Sequence, residues 1–117
     1  MTINLDDLNE EQKKKILNFN NLKQSLEFIT SQRIQFETTL RDTELAIEEL
    51  EKINQEDAVY KAIGGILVKS EKNKLLDEKK SLKVTLEMRL KTLKQKEERT
   101  KNQLETMSKS LQADFQK

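Results

Sequence analysis

The only two glycines in the chain are adjacent, Gly64 and Gly65, and there is no proline. Backbone chemistry therefore interrupts neither the segment before position 64 nor the one after 65, and one point near the middle is free to reverse direction. Around that point lies "AVYKAIGGILVKS", Ala58 to Ser70, the one dense run of β-branched and apolar residues. A two-residue Gly-Gly loop flanked by such runs predicts a β-hairpin with positive φ at the turn. In that register Ile63 faces Ile66, Lys61 faces Val68 and Val59 faces Ser70. Tyr60, Ala62, Leu67 and Lys69 fall on the other face.

On either side the apolar residues follow helical spacing. Phe19, Leu22, Leu26, Ile29, Arg33, Phe36, Leu40, Thr43, Ile47 and Leu50 alternate steps of three and four, which is a coiled-coil seam with only Arg33 and Thr43 polar. "NEEQ", Asn9 to Gln12, has the form of a capping box, and a start near Asp6 fits equally well. The second stripe is Leu75, Leu82, Leu86, Leu90, Leu93, Glu97, Thr100, Leu104, Met107 and Leu111, with Ser70 or Asn73 as candidate caps. Two successive four-residue steps between Leu82 and Leu90 form a stutter. Ile16, Leu17, Phe28, Ile34 and Leu45 lie off the first seam, either as its flanks or as a second contact surface.

Two seams separated by one tight turn must fold back on each other. With the reversal at Gly64–Gly65, opposed residues have numbers adding to about 129 or 130, which sets Phe19 against Leu111, Leu26 against Leu104, Phe36 against Leu93 or Lys94, and Leu40 against Leu90. The same rule sets Arg33 against Glu97, so the charge on each central seam meets its opposite. The expected fold is mainly α: a long antiparallel two-helix coiled coil joined by one central β-hairpin. Helix one is expected over 6–56, the hairpin over 58–70 with its turn at 64–65, and helix two over 73–115, all in one domain.

Composition limits the chemistry. Charged residues make up 37% and hydrophobic ones 34%, too few to fill a globular core but enough for one narrow stripe per helix. With 22 basic and 21 acidic residues the net charge is +1, which gives no bias toward nucleic acid or an anionic membrane. The chain has no Cys and no His. No disulfide, thiolate or zinc-thiolate site is expected, and the commonest general base and metal ligand are missing. Neither a phosphate-binding glycine loop nor a membrane-length apolar run is present, and adjacent carboxylates such as Glu48–Glu49 and Glu97–Glu98 point apart on a helix and read as surface groups. The expectation is a non-enzyme without cofactor or metal, with no nucleic-acid or membrane partner. The acidic start "MTINLDDLNEEQ" lacks a signal-like apolar core, so a soluble, cytoplasmic setting is expected.

A two-stranded hairpin is marginal alone and leaves both outer edges unpaired. With apolar residues on both faces, this one is expected to pair with strands of other chains. In the block "AVYKAIGGILVKSEKNKLLDE", Ala58 to Glu78, and in "QKEERT" of the second helix, the chain resembles prefoldin, in particular the β class with one hairpin between two helices. The resemblance implies four β and two α subunits whose hairpins join into a β-barrel platform. Six coiled-coil tentacles would then hold unfolded polypeptide at their tips and pass it to a group II chaperonin without ATP. It further implies that Val59, Tyr60, Ile63, Gly64, Gly65, Ile66, Leu67 and Val68 form the assembly surface. Client contacts would fall at the open ends.

The residues themselves favour apolar contacts there. Leu5, Leu8, Ile16, Leu17 and Phe19 come from one helix, and Met107, Leu111 and Phe115 from the other. Gln12, Lys15, Ser108 and Ser110 dilute the seam at this end, so loose winding is expected, and mobile Met and Phe suit diverse partners. Phe19 and Leu111 serve equally well as the end of the coil. A structural tether without client binding is the rival reading; it has no need of a central hairpin.

Overall fold

The computed structural model describes residues 8–115. Helix α1 spans Glu10–Lys52, strand β1 Val59–Ile63, strand β2 Ile66–Ser70 and helix α2 Lys72–Phe115. The expected order of elements is therefore present, and the boundaries differ where local polar chemistry intervenes.

At the start of α1, Asn9 and Gln12 make a reciprocal capping box. The Gln12 backbone N–H donates to Asn9 Oδ1 at 2.7 Å, and the Asn9 N–H donates to Gln12 Oε1 at 3.2 Å. Glu10 and Glu11 occupy the first turn, where carboxylates suit the helix dipole. Positions 6 and 7 of the helix expected from 6 lie outside the described residues. At its other end α1 stops at Lys52, four residues before the expected 56. Asn54 and Asp57 close a tight turn there: the Asn54 N–H donates to Asp57 Oδ2 at 2.9 Å and the Asp57 N–H to the Asn54 carbonyl at 3.1 Å. Short polar side chains that satisfy the backbone locally compete with helix, so no glycine or proline is needed to end it. Lys72 Nζ donates to the Ile53 carbonyl at 2.7 Å.

The start of α2 also departs from expectation. Neither Ser70 nor Asn73 caps it. Ser70 ends β2 opposite Val59, and Asn73 forms a two-way amide pair with Gln55 at 3.1 and 3.2 Å. Glu71 stands at the cap position, its carbonyl accepting from the Leu75 N–H at 3.0 Å.

β1 and β2 pair antiparallel in the register the turn dictates, from Val59↔Ser70 to Ile63↔Ile66. Gly64 and Gly65 have φ of 52° and 84°, and a Cβ at either would meet nothing within 4 Å. The demand for glycine here is conformational, not steric. Among the described residues the sheet has only these two strands.

The chain forms two units by its internal contacts, residues 34–92 and, of the described residues, 8–33 with 93–115. In the first, Val59, Leu75, Leu86 and Leu90 are buried, and so is Thr43. In the second, Ile29 is buried together with Glu97 and Thr100. The buried threonines are satisfied by their own helices: Thr43 Oγ1 donates to the Thr39 carbonyl at 2.7 Å and Thr100 Oγ1 to that of Lys96 at 2.8 Å. Leu82, expected on the α2 stripe, is exposed. Each four-residue step advances about 40° beyond a full turn, so the stutter from Leu82 to Leu90 carries Leu82 off the packed face. Among the described residues no helix is long and apolar enough to cross a membrane.

Candidate functional site

Two groups of side chains stand out, one in each unit. The first is the hairpin. Alternation puts Val59, Lys61 and Ile63 on one face of β1. Val59 is buried, and Lys61 Nζ reaches Glu78 Oε2 on α2 at 2.9 Å. This face is thus turned toward the helices of its own unit. The Lys61 hydrogen bond, against the opposing effect of desolvation, holds the Glu78 carboxyl below the usual carboxylate range. Val59, expected on the assembly surface, is thus packed within its own chain.

The remaining apolar members of that surface are open. Leu67 is 71% exposed, Ile66 63% and Tyr60 57%, with Ile63 and Val68 also exposed. They stand on a sheet whose outer edges are unpaired among the described residues. Such a surface suits strand addition, in which backbone bonds supply affinity and apolar side chains are removed from water.

The second group lies toward the chain ends. Leu5 falls outside the described residues. Leu8 precedes α1 and is half-buried, as are Ile16 and Phe19 on α1 and Met107 and Leu111 on α2. Leu17 is 59% exposed, and Phe115, the last residue of α2, is 38% exposed. Lys15, read as a diluting residue, bonds Asp114 Oδ2 at 2.7 Å and lies 3.4 Å from Ser110 Oγ. The Asp114 hydrogen bond raises its pKa. A 150 Å³ cleft lined by Lys15, Met107, Ser110 and Leu111 lies beneath. Thus most of these apolar groups are shared with helix packing, and Leu17 and Phe115 are the exposed ones.

Arg33 and Glu97 meet as the two seams require, Nε to Oε2 at 2.6 Å, with Lys101 Nζ 3.3 Å from Glu97 Oε1. Glu97 is accordingly buried and not a surface carboxylate, whereas Glu98, Glu48 and Glu49 are exposed. The Arg33 hydrogen bond outweighs desolvation, and with help from Lys101 holds the Glu97 pKa below the ordinary range. A carboxyl lowered on folding adds stability above that range and loses it as pH falls through the lowered value. Thermal melts should show this: Glu97→Gln is expected to lower the Tm at neutral pH and to narrow the gap to the wild type in acid. Arg33→Met is expected to cost about 1–3 kcal/mol, since it strips a buried carboxylate of its main partner. Replacing both residues by Leu should restore or exceed wild-type stability. A double variant as unstable as Arg33→Met would contradict this account.

Sequence reading did not find Val84 and Met88, exposed one turn apart on α2 in the hairpin unit. Their four-residue spacing off the stripe was the available signal. The Lys61–Glu78 and Gln55–Asn73 contacts were also missed, because strand-to-helix and loop-to-helix neighbours have no periodicity in sequence.

A family model described as prefoldin subunit matches residues 13–117. The chain belongs to the prefoldin subunit family. Relatives named prefoldin subunit beta include one from Archaeoglobus fulgidus, 44% identical over 91 residues that span 78% of each chain. Another, from Pyrococcus furiosus, is 31% identical over 91 residues with the same coverage of both chains. The crystal structure of the prefoldin beta subunit from Thermococcus strain KS-1 shares the fold, with a TM-score of 0.79, 24% identity, and coverage of 92% of this chain and 95% of that one. Two long helices joined by a small antiparallel hairpin are thus the fold of a prefoldin β-type subunit, and prefoldin subunits are components of chaperones.

Proposed function

We propose that this chain is a β-class subunit of a cytoplasmic, ATP-independent holding chaperone. Four copies join two longer α-class subunits through their hairpins, which close into β-barrels and leave the helix pairs as arms. The arm tips hold unfolded polypeptide and deliver it to a group II chaperonin. The observation that carries the reading is the hairpin of a prefoldin-family chain, with Tyr60, Ile66 and Leu67 each more than half exposed on a sheet of two strands. Isolated hairpins of this size are not stable in water, and an exposed apolar one without strand partners invites aggregation. Assembly removes both liabilities. Gly64 and Gly65 serve it by fixing the register of the strands. Leu17 and Phe115 are the open apolar groups of the client end, and Leu5, Leu8, Ile16, Phe19, Met107 and Leu111 are its wider set. Weak contacts of this kind gain avidity when several arms grip one client. Arg33 and Glu97 set the register of each arm. A plain tether would leave the exposed hairpin without a role.

The test is the native mass of the chain, alone and co-expressed with a two-hairpin subunit. A six-chain complex with four copies of this chain that suppresses aggregation of a denatured protein is the expected result. A monomer or simple dimer that ignores the longer subunit would overturn the proposal.

A further inference from the structure

The unit that holds the chain ends carries two open grooves. One, of 630 Å³, is lined by Asn18, Leu22, Arg99, Asn102, Gln103, Thr106 and Met107. The other, of 500 Å³, is lined by Asn21, Gln24, Ser25, Phe28, Ile29 and Lys96. On α1 the lining residues Asn18, Asn21, Ser25 and Phe28 follow steps of three and four, as do Lys96, Arg99, Gln103 and Thr106 on α2. Each series is one stripe of its helix, so the two grooves run on along the same side of the helix pair.

Their chemistry is uniform. The base is apolar: Leu22 and Met107 are half-buried, Ile29 is buried, and Phe28 stands 64% exposed at the rim. The walls are amides and hydroxyls. Each groove has one cation and neither is lined by a carboxylate. Several charged side chains on these helices are paired, for example Lys15 with Asp114, Lys101 with Glu97 and Lys109 with Glu105. Lys96 and Arg99 have no ion pair among the described residues.

We infer that this lateral groove, rather than the apolar tip alone, takes an extended polypeptide segment in which apolar residues alternate with acidic ones. The inference rests on the client-holding reading and names the sequence class the arm prefers. An Asn or Gln side chain both donates and accepts, so a row of them matches the N–H and C=O groups that an unfolded chain presents. In an extended segment alternate side chains point to opposite sides, which allows one set to reach the apolar base while the other meets the cations. Lys96 and Arg99 are separated by about 4.5 Å along the helix, within reach of acidic side chains two residues apart at about 6.8 Å once the long basic side chains lean outward. Charge complementarity decides for an acidic segment over a basic one.

The test uses the full-length chain and three fluorescein-labelled peptides too short to fold. One alternates Leu and Asp, one has Lys in place of Asp, and one has Ser in place of Leu; binding is read by fluorescence anisotropy at low salt. The Leu–Asp peptide is expected to bind about tenfold more tightly than the Leu–Lys peptide, consistent with one to two charge-assisted contacts. Lys96→Gln with Arg99→Gln should remove most of that preference, and Lys96→Glu with Arg99→Glu should invert it. Both substituted positions are exposed, so helicity by circular dichroism should not change. Equal affinity for the Asp and Lys peptides, or a preference that survives charge reversal, would overturn the groove assignment while intact suppression of aggregation left the client reading standing. Equally tight binding of the Ser–Asp peptide would reduce the groove to a nonspecific anion site and overturn it too. If the chain, alone and assembled, held no unfolded protein, both readings would fall together.

Discussion

Ile66→Asp is expected to leave the chain folded and to reduce its native mass, in the presence of the longer subunit, from a six-chain complex to unassembled chains. Ile66 is 63% exposed, so an aspartate there is solvated in the single chain and its helicity should be unchanged. Once strands from other chains cover the position, the same carboxylate is buried without a partner, at a cost of about 3 kcal/mol or more per copy. That is a hundredfold or greater loss of association for each hairpin, repeated in every copy. Val59→Asp makes the contrast, because Val59 is already buried against its own unit. This variant should lower the Tm of the chain itself as well as its assembly. An Ile66→Asp protein that still ran as the full complex in size-exclusion chromatography with light scattering would exclude this face from the interface.

The second large effect is expected at the other unit. Leu17→Ser with Phe115→Ser should abolish most suppression of aggregation of a denatured protein, with native mass and helicity unchanged. Leu17 is open and its change should alter stability by no more than about 0.5 kcal/mol, whereas that of Phe115, 38% exposed at the last position of α2, should cost about 1 kcal/mol. Each apolar side chain buried against a client contributes about 1.5–3 kcal/mol. Losing two from each of several arms multiplies through avidity, so holding should fall by far more than tenfold. Phe19, Met107 and Leu111 are less decisive targets, since they are half-buried and their truncation would loosen the helix pair as well. Unchanged holding by an intact complex of the Leu17/Phe115 variant would move the client site elsewhere, with the lateral groove as the first place to look.

Much of the fold was legible because it rests on local or periodic signals. The seam of α1 could be read from Phe19 to Leu50 through its three–four steps. The turn followed from Gly64–Gly65, which alone here can adopt positive φ at two adjacent residues without strain. Once both were known, the Arg33–Glu97 pair followed by arithmetic. Less was legible where short polar residues choose between partners. Asn54 and Asp57 ended α1 early by bonding their own backbone, and Asn73 turned to Gln55 instead of capping α2. Such choices differ by about one hydrogen bond, which sequence pattern does not resolve.

The sequence by itself determined the number and order of elements, the hairpin register and the pairing of the central charges. Each depends on backbone freedom or on helical and strand periods, and those act over a few residues at a time. Only the tertiary structure decided exposure. It buried Val59 while leaving Leu67 open, gave Lys15 to Asp114 while leaving Lys96 and Arg99 to line a groove, and turned Leu82 outward through the stutter. The physical reason is that exposure and ion pairing depend on what lies across from a residue. On a folded-back chain that neighbour is as many as 99 positions away in sequence.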